Sequence, residues 1–243
     1  MKIGNSIALV TGANRGIGRS LVEALIERGA RRVYATGRDA AGLASVAAID
    51  RQRVRTLPLD ITKPAQVRAA SEQARDTTLL INNAAIASFG KLNELGDDEV
   101  RSAMETNYFG TLNVINAFTP VLEGNGGGAI VNIITIVALA SVPSLGAYTA
   151  SKAALWSLTQ SYRADLAKRR ISVHGVYPGP VDTDMSRGLE NVPKASPGLI
   201  AASTLDGVET GQEDIFPDVM ARDVYTAWRQ DHKAVERQFA SMF

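Results

Sequence analysis

Cysteine is absent from this 243-residue chain, and histidine occurs only at His174 and His232. The first absence excludes disulfides, thiolate chemistry and most structural zinc sites. With so few histidines as well, a zinc-dependent alcohol dehydrogenase is excluded and no metal is expected. Aromatic residues make up 6% of the chain, and no basic stripe interleaves with them, so nucleic acid is not an expected partner. An excess of charge is lacking too: 26 basic residues face 25 acidic ones, for a net +1. The N-terminal apolar run Ile7-Ala8-Leu9-Val10 passes directly into a glycine loop. It is too short for a signal peptide or a membrane span, so a cytoplasmic protein with no membrane partner is expected.

What is present is a large apolar fraction, 45%, enough for a substantial core. The length fits one α/β domain over 1–243. Strand-like runs at 6–11, 32–36, 53–58, 78–82, 128–134, 171–177 and 213–216 alternate with helical patterns at 17–28, 40–48, 63–75, 97–122 and 147–168. That alternation predicts right-handed crossovers and a doubly wound parallel sheet, with helices on both faces. Periodicity weakens from about 183 to 212, where Pro193 and Pro197 interrupt mixed charged and apolar residues. A long irregular segment after the sixth strand would lie over the ligand crevice at the strand ends. A substrate lid at about 184–210 is therefore expected, an ordinary surface excursion being the alternative.

Tyr148 and Lys152 stand four positions apart, on one face of a predicted helix. Each titrates near ~10 when free. Side by side, the ammonium favours phenolate and lowers the tyrosine's pKa, which would make it an acid/base usable near neutral pH.

Thr11-Gly12-Ala13-Asn14-Arg15-Gly16-Ile17-Gly18 joins the first strand to the first helix. Glycines there let backbone amides approach a pyrophosphate at a helix N-terminus. The second strand ends at Gly37-Arg38, where an NAD-binding loop would commonly carry an acidic residue. Arg38 and Arg15 instead suit a ribose 2′-phosphate, so NADP(H) is the expected cofactor. Asp39 competes for the ribose but fits a helix cap. Asp60, beside Ile61, would accept from the adenine amine, or Asp60 or Thr62 would cap the helix that Pro64 helps start. Asn83-Ala84, at the end of the fourth strand, leaves room for a ribose. The neighbouring Asn82 reads as a structural side chain.

In this order and spacing, Thr11–Gly18, Asn82–Ala85, Asn107, Ile130–Ile133, Tyr148/Lys152 and Pro178-Gly179 resemble the short-chain dehydrogenase/reductase family over nearly the full length. The resemblance implies a seven-stranded Rossmann-type sheet. It implies that Tyr148 is the general acid/base and that Lys152 lowers its pKa while binding the nicotinamide ribose. Asn107 would hold a water in a proton relay. The family's serine lies thirteen positions before the tyrosine, and Thr135 stands there instead. Its hydroxyl can still orient a carbonyl, but the added methyl stiffens χ1. Pro178, Gly179, Val181 and Thr183 match the segment that closes over the nicotinamide, and the reaction implied is pro-S hydride transfer.

Thr135, Val137 and Tyr148 would face the substrate. Ile86, Ile136, Ala138, Val142 and Leu145 are apolar, which points to a hydrophobic ketone or secondary alcohol. Three alternatives remain: an epimerase or dehydratase of the longer relatives, whose glycine spacing differs, a non-catalytic NADP(H) sensor or interaction protein of the same fold, and a lyase using the tyrosine without a nicotinamide, which the intact glycine loop disfavours. The resemblance implies a homotetramer or dimer through helices 97–122 and 147–168. The aromatics Tyr225, Trp228, Phe239 and Phe243 would pack on a neighbour or on the chain's own core.

Overall fold

The computed structural model describes residues 1–187 and 192–241. Seven parallel strands form one sheet: β1 (Ile7–Val10), β2 (Arg32–Gly37), β3 (Val54–Pro58), β4 (Leu79–Asn82), β5 (Gly128–Ile133), β6 (Ile171–Val176) and β7 (Asp214–Ile215). Their order is β3-β2-β1-β4-β5-β6-β7. Two-residue periodicity splits each strand between two cores. In β1, Ala8 and Val10 face one layer while Ile7 and Leu9 face the other. The first layer holds α1 (Gly16–Glu27) and α2 (Ala40–Ala47), and the second holds α3 (Pro64–Gln73), α5 (Thr111–Gly124) and α6 (Gly146–Leu166). The sheet is covered on both faces, so its strands read as continuous apolar runs.

The helical pattern over 97–122 is present but not uniform. It divides into α4 (Asp97–Met104), a π-helical turn (Glu105–Gly110) and α5. Asn107 sits within that turn and is fully buried. Its side chain reaches across to other elements, a common circumstance for a π-bulge at a functional site.

The expected irregular stretch is helical for half its length. α7 (Pro197–Thr210) begins with Ser196 as N-cap, accepting from the Leu199 amide at 3.2 Å, and with proline at its first turn. Ala201, Leu205 and Val208 are fully buried against the α1 layer, and Ile200 is fully buried as well. The sequence concealed this because Gly198, Thr204 and Gly207 dilute the apolar stripe. Gly207 is small because Ile215 lies where a Cβ would go, at 2.4 Å. α7 is thus packed rather than free to cover the cleft, and residues 188–191 of the expected lid lie outside the described residues. Of the apolar residues noted there, Leu189 lies outside the described residues.

Two further helices, α8 (Val219–Gln230) and α9 (His232–Ala240), close the chain. Tyr177, Phe216, Tyr225 and Trp228 stack successively, with centroids 4.9, 3.9 and 6.4 Å apart. Trp228 donates to the Leu139 carbonyl at 3.1 Å, and Phe239 is buried. These aromatics therefore pack on the chain's own third core; Phe243 lies outside the described residues. Among the described residues, no helix is long and apolar enough to cross a membrane.

Candidate active site

The sheet order reverses between β1 and β4, and the loops beyond their carboxyl ends open a cleft of ≈ 610 Å³. Gly12, Asn14, Arg15, Gly16, Ile17, Arg38, Asp60, Ile61, Asn83, Ala84, Thr135, Val137, Tyr148, Lys152, Pro178, Gly179, Val181 and Thr183 all line it. Gly18 and Asn107 do not; each acts on the cleft from behind.

The glycine loop has two positive φ angles, 63° at Gly12 and 54° at Gly16, a region that favours glycine. At Gly18 the requirement is space: a Cβ would stand 2.2 Å from the Gly12 carbonyl oxygen and 2.6 Å from Asn83 Nδ2. That amide donates to the Thr11 and Gly12 carbonyls, both at 3.0 Å. The Asn83 side chain therefore ties the loop to β4, and the room for a ribose comes from Ala84. Asn82 donates to Asn132 Oδ1 at 2.9 Å, and Asn132 in turn to Thr159 on α6 at 2.9 Å. This buried chain, invisible in the sequence, joins β4, β5 and α6.

Asp39 accepts from the Ala41 amide at 3.1 Å and caps α2. Asp60 accepts from the Thr62 amide and hydroxyl at 3.0 and 2.8 Å, so it closes a turn. Neither Asp60 nor Thr62 caps α3, whose N-cap is Lys63. Arg38, at the exposed lip, makes no hydrogen bond or ion pair among the described residues. Arg15 is engaged: it donates to Asp184 at 3.0 Å across the mouth of the cleft.

On α6, Tyr148 is half-buried and its hydroxyl is pushed well above the usual phenol range by its depth among protein atoms, an effect eased by the Thr135 hydroxyl. Lys152 is buried and donates to the Ile133 carbonyl at 2.7 Å. Its Nζ lies 5.8 Å from the Tyr148 ring centroid. Burial lowers the ammonium to about 7. The expected lowering of the tyrosine by the lysine is therefore corrected: desolvation dominates both groups and drives both toward neutrality.

A pH-dependent stability follows. Between about 7 and the lysine's ordinary 10.5, the unfolded chain binds a proton that the folded chain does not. Stability then rises with pH across that window, by at most ~1.4 kcal/mol per unit, and is lost as pH falls toward 7. Lys152→Met should flatten the slope. Urea denaturation of both proteins from about pH 7 to 9.5 checks it, and parallel curves would refute it.

Asn107 does not present its amide to solvent. Nδ2 donates to the Ile86 carbonyl at 2.9 Å and to Ser151 Oγ at 2.8 Å, while Oδ1 accepts from the Ile86 amide at 2.9 Å. Ser151 donates in turn to the Tyr148 carbonyl at 2.7 Å. Both amide protons are committed, so the side chain clamps the loop after β4 to the first turn of α6. A proton-relay water at Asn107 would therefore be held through a carbonyl oxygen, to which water donates, and not through the side-chain N–H groups. Ser151 lay inside the Tyr148–Lys152 motif without a sequence signal for this link.

Thr135 is buried, donates to the Pro178 carbonyl at 3.2 Å and accepts from the Val137 amide at 3.4 Å. Asp218 was not foreseen either. It accepts from the Gly179 amide and the Ala221 amide, both at 2.9 Å, capping α8 while pinning the turn after β6. Its only sequence mark is an acidic residue before a helix.

Residues 6–193 match the short chain dehydrogenase family, and the chain belongs to it. It is an oxidoreductase of that family. The 3-oxoacyl-acyl-carrier-protein reductase FabG of Salmonella typhimurium is 32% identical over 205 residues, 83% of each chain. A 3-alpha-(or 20-beta)-hydroxysteroid dehydrogenase of Mycobacterium tuberculosis is 35% identical over 184 residues, 74% of this chain and 70% of that one. A short chain dehydrogenase of Burkholderia cenocepacia, solved in complex with NADP, superposes with a TM-score of 0.92 at 41% identity, covering 98% of this chain and 99% of that one.

Proposed function

We propose that this chain interconverts a hydrophobic ketone and its alcohol with NADP(H). The carrying observation is that Tyr148 and Thr135 open on one cleft whose walls include Ile86, Phe89, Ile136, Val137, Leu145 and Met185. The residues fit the cofactor. Gly12 and Gly16 have the backbone to cradle a pyrophosphate, and Arg38 stands at the lip with no protein partner among the described residues. Arg15 and Arg38 would hold the 2′-phosphate, and Lys152, Val181 and Thr183 the nicotinamide end. When bound, the dinucleotide supplies the hydride.

Tyr148 is protonated at neutral pH, so its phenol can donate to the carbonyl oxygen when the reaction runs as a reduction. Lys152, neutral or charged near pH 7, can return the proton through the Tyr148 side of the cleft. Thr135 must turn its hydroxyl from Pro178 to the substrate oxygen. Its methyl resists that rotation, so Thr135→Ser should raise kcat a few-fold; a fall would refute this role. The part of the expected lid that precedes α7 would cover the cleft, with residues 188–191 lying outside the described residues, and the protein would assemble as a dimer or tetramer.

NADPH oxidation followed by absorbance, across aromatic and cyclic ketones beside polar sugars, tests the reading. Turnover of the ketones is expected, and preference for sugars would overturn the substrate class. The second reading, a non-catalytic NADP(H) sensor of the same fold, is not favoured by the similarity to reductases and dehydrogenases. Tight NADPH binding without turnover of any substrate would establish it.

A further inference from the structure

The two lips of the cleft meet at one ion pair. Arg15 belongs to the glycine loop, and Asp184 to a short 3-10 turn (Asp184–Ser186) after β6. The arm carrying Asp184 is held on its own side. Asp182 donates its amide to the Ala195 carbonyl and Ala195 to the Pro180 carbonyl, each at 2.9 Å, which closes the neck. Ser186 donates to the Val181 carbonyl at 2.7 Å, which stiffens the arm. Among the described residues, it rests against the glycine loop through the Thr183 methyl, 3.1 Å from where a Gly16 Cβ would be, and through the Arg15–Asp184 pair. Asp184 also pairs with Arg187.

Arg15 has one guanidinium and two claimants. We infer that Asp184 is a specificity-determining residue, competing with the cofactor's 2′-phosphate for Arg15; this rests on the NADP(H) reading above. The pair is exposed, with 70% of the Arg15 and 37% of the Asp184 side chain open to solvent, so it is weak and readily exchanged. A phosphate offers more acceptor oxygens and more charge, and takes the guanidinium. NADPH then binds at the cost of breaking the pair, whereas NADH leaves it in place. Asp184 thereby blunts the preference for NADP(H). By linkage, the 2′-phosphate removes the ion pair that joins the arm to the glycine loop, and NADH does not.

Calorimetric titration of NADPH and NADH into wild type, Asp184→Asn, Arg15→Ala and the double variant tests this. Asp184→Asn should tighten NADPH about two- to five-fold and leave NADH within about 1.5-fold. Asp184→Ser, which has no amide oxygen left to hold Arg15, should do the same. In the Arg15→Ala background the gain should vanish. An equal gain there would show a plain field effect of the carboxylate, or capture by the freed Arg187, and would overturn the inference. So would an unchanged NADPH affinity in an enzyme that still prefers NADPH. If wild type binds NADPH no more tightly than NADH, the 2′-phosphate reading fails first and carries this one with it.

Discussion

Tyr148→Phe is expected to lower kcat by roughly 10²- to 10⁴-fold while leaving NADPH affinity within about twofold. The substitution removes one oxygen and keeps the ring, so the packing of α6 on the sheet survives. What disappears is the proton donor for the carbonyl oxygen. Among the described residues, the neighbouring donors are otherwise engaged in the resting site: the Thr135 hydroxyl bonds Pro178, and Lys152 bonds the Ile133 carbonyl. Single-turnover kinetics beside a cofactor titration separates the chemical step from binding. A loss of only a few-fold would mean that another group protonates the substrate, and the assignment of Tyr148 would fall. A second signature is thermodynamic. Burial holds the wild-type phenol neutral in the folded state beyond its ordinary value of 10, where the unfolded chain gives up the proton. Wild-type stability should therefore decline above that pH, and this component should be missing from the phenylalanine variant.

Gly18→Ala should damage both the fold and the cofactor site through a single methyl. Its Cβ would lie 2.2 Å from the Gly12 carbonyl oxygen and 2.9 Å from the Gly12 carbonyl carbon. These are backbone atoms, which cannot swing away as a side-chain tip can. The first turn of α1 must move off the loop, or the loop off α1. Either displacement breaks the alignment of amides for a pyrophosphate and strains the Asn83 bonds to Thr11 and Gly12. Overpacking of this kind typically costs about 1–3 kcal/mol, and a misplacement near 1 Å costs on the order of 10²-fold in turnover efficiency. Urea denaturation and kcat/KM for NADPH check the two effects. Gly29→Ala is the useful comparison, since no atom lies within 4 Å of its Cβ position, although its φ of +79° brings backbone strain of its own. Wild-type kcat/KM in Gly18→Ala would show that the loop yields, contrary to the close approach seen here.

Much of this molecule is written in local pattern. Seven apolar runs separated by amphipathic stretches determine a parallel sheet, because strands covered on both faces must be apolar along their whole length. Gly12, Gly16 and Gly18 announce a tight strand-to-helix turn, and the spacing of Tyr148 and Lys152 places both on one helical face. Those features depend on neighbours a few residues away, and a sequence displays them. α7 was hidden because its stability comes from burying Ala201, Leu205 and Val208 against α1, over 170 residues distant, and against the sheet, contacts that no helical period reveals. Asn107 looked like a water-holding side chain, and became a clamp only because Ile86 and Ser151 are brought to it from two other elements. Lys152 looked like a charge that would acidify Tyr148, yet how strongly each group ionises depends on depth, and depth exists only in the folded chain. Tertiary structure likewise decided that Asp218 holds Gly179 and that Asp184 faces Arg15. The sequence by itself determined which chemistry is carried and on which elements; the fold decided which groups are dry, which are already bonded, and so which are free to act.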